Sequence, residues 1–547
     1  MKLYKKSFGF IVATAAMFSL TGCLEETFPE DDYATEKQIQ SSPLAISALI
    51  NGIPSQMAQG YLVYEEQVHE TDMAYPQFMI AQTELLGDMY PGGANSGYDW
   101  YRTYNTLSAS CGATSYFSYL PWFTLYKFIK TDNDIINNID GTDEGLSADL
   151  RAYLGMAYAA RAFNYYMLTV FFQPMKNHYT NVTDELANLT APKVVETTTP
   201  EEARNNPRLT KEKMKEFILS DLDKAEKNLA GYKVSSNLFP SLAVVYGIKA
   251  KTYLWFEDYE NAALYARKAI DESGATPVTA KQWEDPNAGF CVANQAWMWY
   301  LHYDAENMGN LCNFTGWMSG EADWGYSSLT LPMIDKSLYD KMGENDFRRT
   351  TYLHPDKYDY YQYKSCRDED FIKNAPAYLS LKFRCKDGNY KKYKDGGSVD
   401  CPIMRVEEMM LIEAEAVGMS KGVEEGKKLL VDFVKNYRDP GYKCKASTTR
   451  ELQLAVLDQM RIEFWGEGNA FPSAKRIQPD IVQNYEGTNA PANIYKINCK
   501  GIKPNWNFVI PQTETQSNQI LQETNNPDPT KAVVGPIGVG EWAVEKY

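Results

Sequence analysis

Residues 242–270 read LAVVYGIKAKTYLWFEDYENAALYARKAI, and their spacing decides the fold. Val245, Tyr246, Ala250, Tyr253 and Leu254 recur at intervals that put apolar side chains on one face of an α-helix. Glu257-Asp258 interrupts the pattern, and Tyr259, Ala262, Ala263, Ala266, Ala269 and Ile270 begin a second face. Alanines on the second helix let the two backbones approach closely. The stretch therefore predicts a helical hairpin. Neither helix covers its own apolar face, so further hairpins must stack against it.

The rest of the chain supplies them. Over residues 404–437, a first helix carries Met409, Ile412, Ala414 and Ala416, a turn runs from Gly418 to Gly422, and a second helix carries Gly426, Leu429, Leu430 and Phe433. Earlier, Trp122, Tyr126, Ile129 and Ile136 pair with Leu150, Leu154, Ala157, Ala160 and Phe163, and a helix bearing Met214, Phe217, Ile218, Leu222 and Leu229 packs nearby. This is the packing logic of tetratricopeptide units. The expected fold is mostly α: tetratricopeptide-like hairpins near residues 120–172, 211–271 and 404–437, packed against an irregular, loop-rich, ligand-facing region with short strands. The whole of residues 41–547 is expected to form one domain. Residues 174–207, 273–332 and 386–400 interrupt the helices. Residues 273–332 are rich in aromatics, and residues 386–400 read as an exposed hairpin.

The first residues speak of location. Lys2, Lys5 and Lys6 precede an apolar run from Phe8 to Leu20, too short to span a bilayer and fitting a secretory signal. Leu20-Thr21-Gly22-Cys23 then resembles a bacterial lipobox, in which Cys23 is acylated and becomes the new N-terminus. Residues 1–22 thus read as a signal peptide and residues 23–40 as a lipidated tether, acidic through Glu25, Glu26, Glu30, Asp31 and Asp32. No later stretch is apolar for long enough to cross a membrane. The formal charge of -16 becomes -19 without the three early lysines, which argues against nucleic acid and anionic lipid as partners. None of the eight cysteines after Cys23 is spaced as Cys-x-x-Cys. Cys385 and Cys401 flank a Gly/Lys-rich turn and could pair, with buried free thiols the favoured reading.

Several motifs then fall in a characteristic order. Asn345-Asp346-Phe347-Arg348 is similar to an Asp-x-Arg turn of the SusD/RagB outer-membrane nutrient-binding lipoproteins. Arg405-Val406-Glu407-Glu408 running into Leu411-Ile412-Glu413-Ala414-Glu415-Ala416 resembles that family's central helix, and residues 461–468 its Arg-x-x-Glu-x-x-x-Glu-Gly segment. Ile510-Pro511 with Glu514 resembles its C-terminal pattern. Ala470-Phe471-Pro472-Ser473 departs from it where an aromatic-aspartate pair is common. The resemblance implies a lipoprotein on the outer membrane, facing the cell exterior, that sits on a SusC-like TonB-dependent transporter and captures a ligand, usually a glycan and sometimes a peptide. Arg405 is expected to join Glu413 or Glu415 in a buried ion-pair lattice.

A glycan site needs flat aromatic platforms beside polar groups. Residues 283–324 hold five of the 11 tryptophans. Trp297 and Trp299 alternate as in a strand and fit a core. Trp317, Trp324 and Tyr326 stand in glycine-rich sequence and, with Trp283, are candidates for ligand contact. The flexible stretch from Pro91 to Gly97 leads into a second set, Asn95, Asp99, Trp100 and Arg102. Tyr358, Tyr360, Tyr361 and Tyr363 form a third cluster. Catalysis is less well supported. Gly418-Met419-Ser420-Lys421-Gly422 matches Gly-x-Ser-x-Gly but sits in a helix-hairpin turn, not on a strand-to-helix elbow. The four histidines are far apart, so no metal set is read, and no cofactor is implied. A surface glycoside hydrolase stays as the rival from another class, since nothing singles out a carboxylate pair among 71 acidic residues. The function expected is glycan capture without catalysis.

Overall fold

The computed structural model describes residues 48–63, 69–93, 96–106, 111–139, 145–356 and 364–531. The signal peptide, Cys23, the acidic tether, Asn95 and the tyrosines of residues 358–363 lie outside the described residues.

The fold is mostly helical. Helix α1 (Pro76–Leu86) leads into strand β1 (Met89–Pro91). The first hairpin follows as α2 (Tyr116–Ile139) and α3 (Ala148–Phe172). Ser147 caps α3 by accepting the Leu150 N–H, and almost every side chain from Ala152 onward is buried. A helix apolar on all faces must sit inside the molecule. Its last carbonyls then need donors. The Lys475 ammonium serves Val170 and Phe171 from 2.8 and 3.2 Å, and Arg208 and Asn526 serve Phe172 from 2.7 and 2.8 Å.

Short strands β2 (Leu189–Pro192) and β3 (Arg208–Thr210) pair antiparallel before α4 (Lys211–Leu229). The stretch quoted first forms α5 (Leu242–Trp255) and α6 (Tyr259–Ser273), with Asp258 capping the second helix. The last hairpin is α7 (Val406–Ser420) and α8 (Val423–Tyr437), followed by α9 (Thr449–Glu463) and α10 (Phe471–Ile477). Gly422 adopts φ 135° in the turn of that hairpin. The helices stack in the order α2, α3, α4, α5, α6, α7, α8, with α9 also on α7. Helix α6 ends at residue 273, yet it packs directly on α7, which starts at 406.

The intervening chain is therefore an excursion that leaves the stack and returns to it. Its neck is closed by strands β4 (Trp297–His302) and β6 (Asp400–Arg405), paired antiparallel with Trp297 opposite Arg405. Between them, β5 (Pro332–Ile334) runs antiparallel to β1, with Met89 opposite Ile334. Residues 386–400 do not form the hairpin expected. They make a 3-10 turn at Lys386–Gly388 and one helical turn at Tyr393–Gly396, and Asp400 already belongs to β6. Cys385 and Cys401 are both buried and free.

The family-like motifs meet in one buried lattice. Arg405 pairs with Glu407 (3.0 Å), Glu463 (3.1 Å) and Glu467 (2.8 Å). Arg438 reaches Glu463 (2.7 Å) and Glu407 (3.0 Å), and Arg348 joins Asp346 (2.7 Å) to Glu463 (3.0 Å). Lys382 completes it on Glu467 (2.6 Å), and burial pushes its ammonium down to about 8. Four cations thus face four carboxylates. The expected partners of Arg405 are corrected: Glu413 and Glu415 lie two turns up α7, where they pair with Arg267 on α6 and Arg476 on α10 (2.7 Å).

Candidate ligand-binding site

The antiparallel pairing of β1 with β5 puts the chain leaving Pro91 beside the chain arriving at Pro332. Gly92 and Gly93 donate their backbone N–H groups to the Thr330 carbonyl at 2.7 and 2.8 Å, which locks the two segments together. Two candidate sets more than 200 residues apart in sequence therefore share one face.

On that face the Tyr98 and Tyr326 rings lie 6.1 Å apart, tilted by 34°. Tyr98 is 49 % exposed and Trp100 39 %, unusual for rings of this size, while Tyr326 is half-buried. Trp317 stacks beneath Tyr326 at 4.4 Å and 23°, and Tyr101 meets Trp317 edge-on at 5.0 Å. Trp317 itself is buried, with its indole N–H on the Glu70 carbonyl at 3.3 Å. It is the floor of the face rather than its surface.

Residues from a third segment complete the wall. The His69 ring lies 5.6 Å from Trp100, edge to face, and 3.8 Å from Tyr116. Its Nδ1 accepts the Thr71 N–H (3.2 Å), and burial lowers its pKa, so it is neutral at pH 7. The Tyr61 hydroxyl donates to Asn310 at 2.9 Å. The hydroxyl of Tyr326 belongs to the same face. Burial first, and then the charge of Glu70, pushes that hydroxyl up to about 12.

The other expected contacts sit elsewhere. Trp283 is fully buried, donates to the Thr351 hydroxyl (3.1 Å) and packs against Phe290 beneath the Lys382 and Arg438 cations. Trp324 is enclosed with Ala322 and Cys385, with Tyr390 and Tyr393 against them. The turn at residues 386–397 covers it: a Cβ on Gly396 would lie 2.8 Å from the Trp324 ring. Asp99 points inward beside buried Glu84, and both line a cavity of about 10 Å³ under Trp317, the space of one water. Arg102 is half-buried, and its charge acts on Asp99 and Tyr495. Tyr61, His69 and Tyr116 carry no signal in sequence that marks them; only the fold brings His69 to Trp100 and Tyr116 to His69.

Among the described residues no three His, Cys, Asp or Glu side chains gather as a metal ion would require, and no helix is long and apolar enough to cross a membrane.

A family model described as starch-binding and associating with the outer membrane matches residues 36–254, and the SusD family model matches residues 254–538, just over half of the chain. The chain belongs to the SusD family. Solved SusD-like structures share its fold. A SusD-like carbohydrate-binding protein from Bacteroides vulgatus ATCC 8482 aligns with TM-score 0.68 at 19 % identity, over 88 % of this chain and 97 % of its own. A SusD superfamily protein from Bacteroides thetaiotaomicron VPI-5482 gives 0.66 at 19 %, over 88 % and 99 %. Surface glycan-binding protein A from Bacteroides thetaiotaomicron, solved in complex with laminarihexaose, gives 0.63 at 16 %, over 88 % and 99 %. No curated protein sequence matches the chain.

Proposed function

We propose that this SusD-family chain is a lipid-anchored outer-membrane protein that captures an oligosaccharide on the Tyr98–Trp100–Tyr326 face and passes it to a TonB-dependent transporter. The observation that carries the reading is the convergence of two exposed aromatic segments on one buried indole floor. Sugar rings present a C–H face that stacks on such platforms, each contributing about 0.5–1.5 kcal/mol beyond area burial by analogy with aromatic pairs. A few platforms suit reversible capture in the micromolar to millimolar range, about -8 to -4 kcal/mol. The fold-level neighbour that holds laminarihexaose and the family's outer-membrane description support it. So does the lipobox-like Leu20–Cys23, with Cys23 as the acylated residue and residues 1–22 as the export signal.

The test is calorimetry with a panel of neutral hexasaccharides. Tyr326→Ala is expected to weaken the best binder at least five-fold, about 1 kcal/mol, with the thermal midpoint within about 2 °C of the parent. Unchanged affinity would remove the face from the reading. Reducing-end assays on the same mixtures should stay flat; turnover would make the chain a hydrolase.

A further inference from the structure

We infer that capture depends on protons: the carboxyl pair Glu84 and Asp99, enclosed beneath the aromatic face, holds that face in its binding arrangement only while it is protonated. The grip on the glycan then weakens as pH rises. The inference rests on the capture reading above. Its geometry begins with the cavity of about 10 Å³ that both residues line, room for one water. Glu84 is fully buried near the end of α1, and neither of its carboxyl oxygens meets a hydrogen-bond donor of the protein. Asp99 is 6 % exposed. A buried acceptor without a donor costs free energy, and a proton on the pair supplies the donor. Two bare charges in so small a space repel with little water to screen them.

The cavity is also where the face is joined. Asp99 stands between Tyr98 and Trp100 in the chain, so the seat of its side chain sets where those rings stand. Trp317 forms another wall and carries Tyr326 stacked at 4.4 Å. Pro91, Thr330 and Pro332 close the cavity along the β1–β5 seam, where Gly92 and Gly93 donate to the Thr330 carbonyl. Each part of the face thus has a residue on this cavity. Ionising the pair draws water in and pushes Asp99 outward, and the rings on either side of it are displaced with it.

Burial pushes the Asp99 carboxyl up to about 7 and raises Glu84 as well, and the two titrate as a pair. The groups around them do not supply the same change. On the same loop the Arg102 guanidinium, a permanent cation, acts on Asp99. Burial raises the phenols of Tyr90, Tyr101, Tyr104 and Tyr495, so they stay neutral. Past the end of α1, Asp88 is committed to Arg461 at 2.5 Å. Past β5, Asp335 accepts the Ser337 and Leu338 N–H groups at 2.7 and 3.2 Å. The Lys503 ammonium donates to the Asn105 carbonyl at 2.9 Å, and burial pushes it down to about 8, above the midpoint of Asp99. On the face itself, burial lowers His69, which is neutral at pH 7.

The experiment is calorimetry at pH 6, 7 and 8 with laminarihexaose, maltohexaose and mannohexaose, none of them charged, on the wild type, Glu84→Gln and Asp99→Asn. The wild type should bind its best hexamer at least three-fold more weakly at pH 8 than at pH 6, with the stoichiometry unchanged. One proton lost near pH 7 allows about ten-fold. Fewer sites at unchanged affinity would mean unfolding instead and would overturn the inference. At pH 7 about half a proton should be taken up per glycan bound, read as the difference in heat between phosphate and Tris buffers. Each variant puts a neutral amide of the same shape in place of a carboxyl, and its affinity should vary by less than about 1.5-fold across the three pH values. Glu84 is sealed beneath the floor, so a level profile in Glu84→Gln reports the pair and not a lost ligand contact. A wild type that binds equally at pH 6 and pH 8 without proton uptake overturns the inference and leaves capture standing. So does a slope that survives in both variants. If a variant fails to fold, the proton count of the wild type decides alone. If no hexamer binds at any pH, the capture reading falls and this inference with it.

Discussion

Asp99 shows how little separates a ligand contact from a core residue. It lies between Tyr98 and Trp100, both exposed, yet its own side chain turns into the protein beside Glu84. Burial, against the pull of Arg102 and local backbone N–H groups, pushes the Asp99 carboxyl up to about 7; burial and then Asp99 raise Glu84 as well. Two carboxyls this close cannot both ionise cheaply away from water. The folded protein thus holds a proton that an unfolded aspartate releases near 3.8. The sign follows: the stability contributed is fully present below about pH 4 and is lost as pH rises through about 7. Asp99→Asn keeps a neutral side chain at all pH values. It should match the wild type near pH 4 and exceed it by on the order of 1–3 kcal/mol at pH 8, read as the shift in urea midpoint. A constant difference across that range would mean that Asp99 does not titrate there. Composition could not foretell this, because alternating exposed and buried residues in a one-turn loop leave no periodic trace. Trp324 evaded the sequence for a related reason: glycine-rich surroundings suggest exposure, but Gly396 makes room for the Trp324 ring instead of freeing it.

At the scale of elements, the hairpins were legible because a 3.6-residue period survives in sequence whatever packs against it. The helices α2 with α3, α5 with α6 and α7 with α8 form where their apolar faces recur. The strands were not legible. β1 and β5 are three residues each and find each other across more than 200 positions, so no local pattern records the pairing that assembles the aromatic face. Small residues set how closely the hairpins close. Gly426 on α8 faces Gly418 on α7, and a Cβ on Gly426 would lie 2.5 Å from both the Ala414 carbonyl oxygen and the Gly418 Cα. Both obstacles are backbone, which cannot swing away as a side chain can. Gly426→Ala is therefore expected to force α7 and α8 apart and to lower stability by about 1–3 kcal/mol, despite alanine's better helix propensity. Urea unfolding checks it; a variant as stable as the parent would show that the helix pair yields without cost.

At the scale of the molecule, the lattice around Glu463 ties together segments that the chain keeps far apart: residues 346–348, Lys382, Arg405 with Glu407, Arg438, and residues 463–467. It stands where the excursion rejoins the helical stack, at the β6–α7 junction, so it fixes the irregular part to the scaffold. The motifs announced such a lattice, but its partners depend on which helix turn faces inward, and that only the packing decides. Burial alone would raise the Glu463 carboxyl; Arg438, Arg405 and Arg348 outweigh burial and hold it well below the usual carboxylate range. A depressed carboxyl contributes stability above its unfolded value of about 4.5 and loses it as pH falls through the folded value. Glu463→Gln leaves three buried guanidiniums short of one charge, which should cost about 3–5 kcal/mol at pH 7. Below pH about 4.5 the wild type begins to lose the same interaction, so the gap between the two proteins should narrow steadily toward pH 3. Denaturant titrations at pH 7, 5, 4 and 3 follow that gap. If it stayed level across the series, the stabilisation would come from the shape of the side chain and its neutral hydrogen bonds, and the charge balance of the lattice would matter little to holding the two parts together.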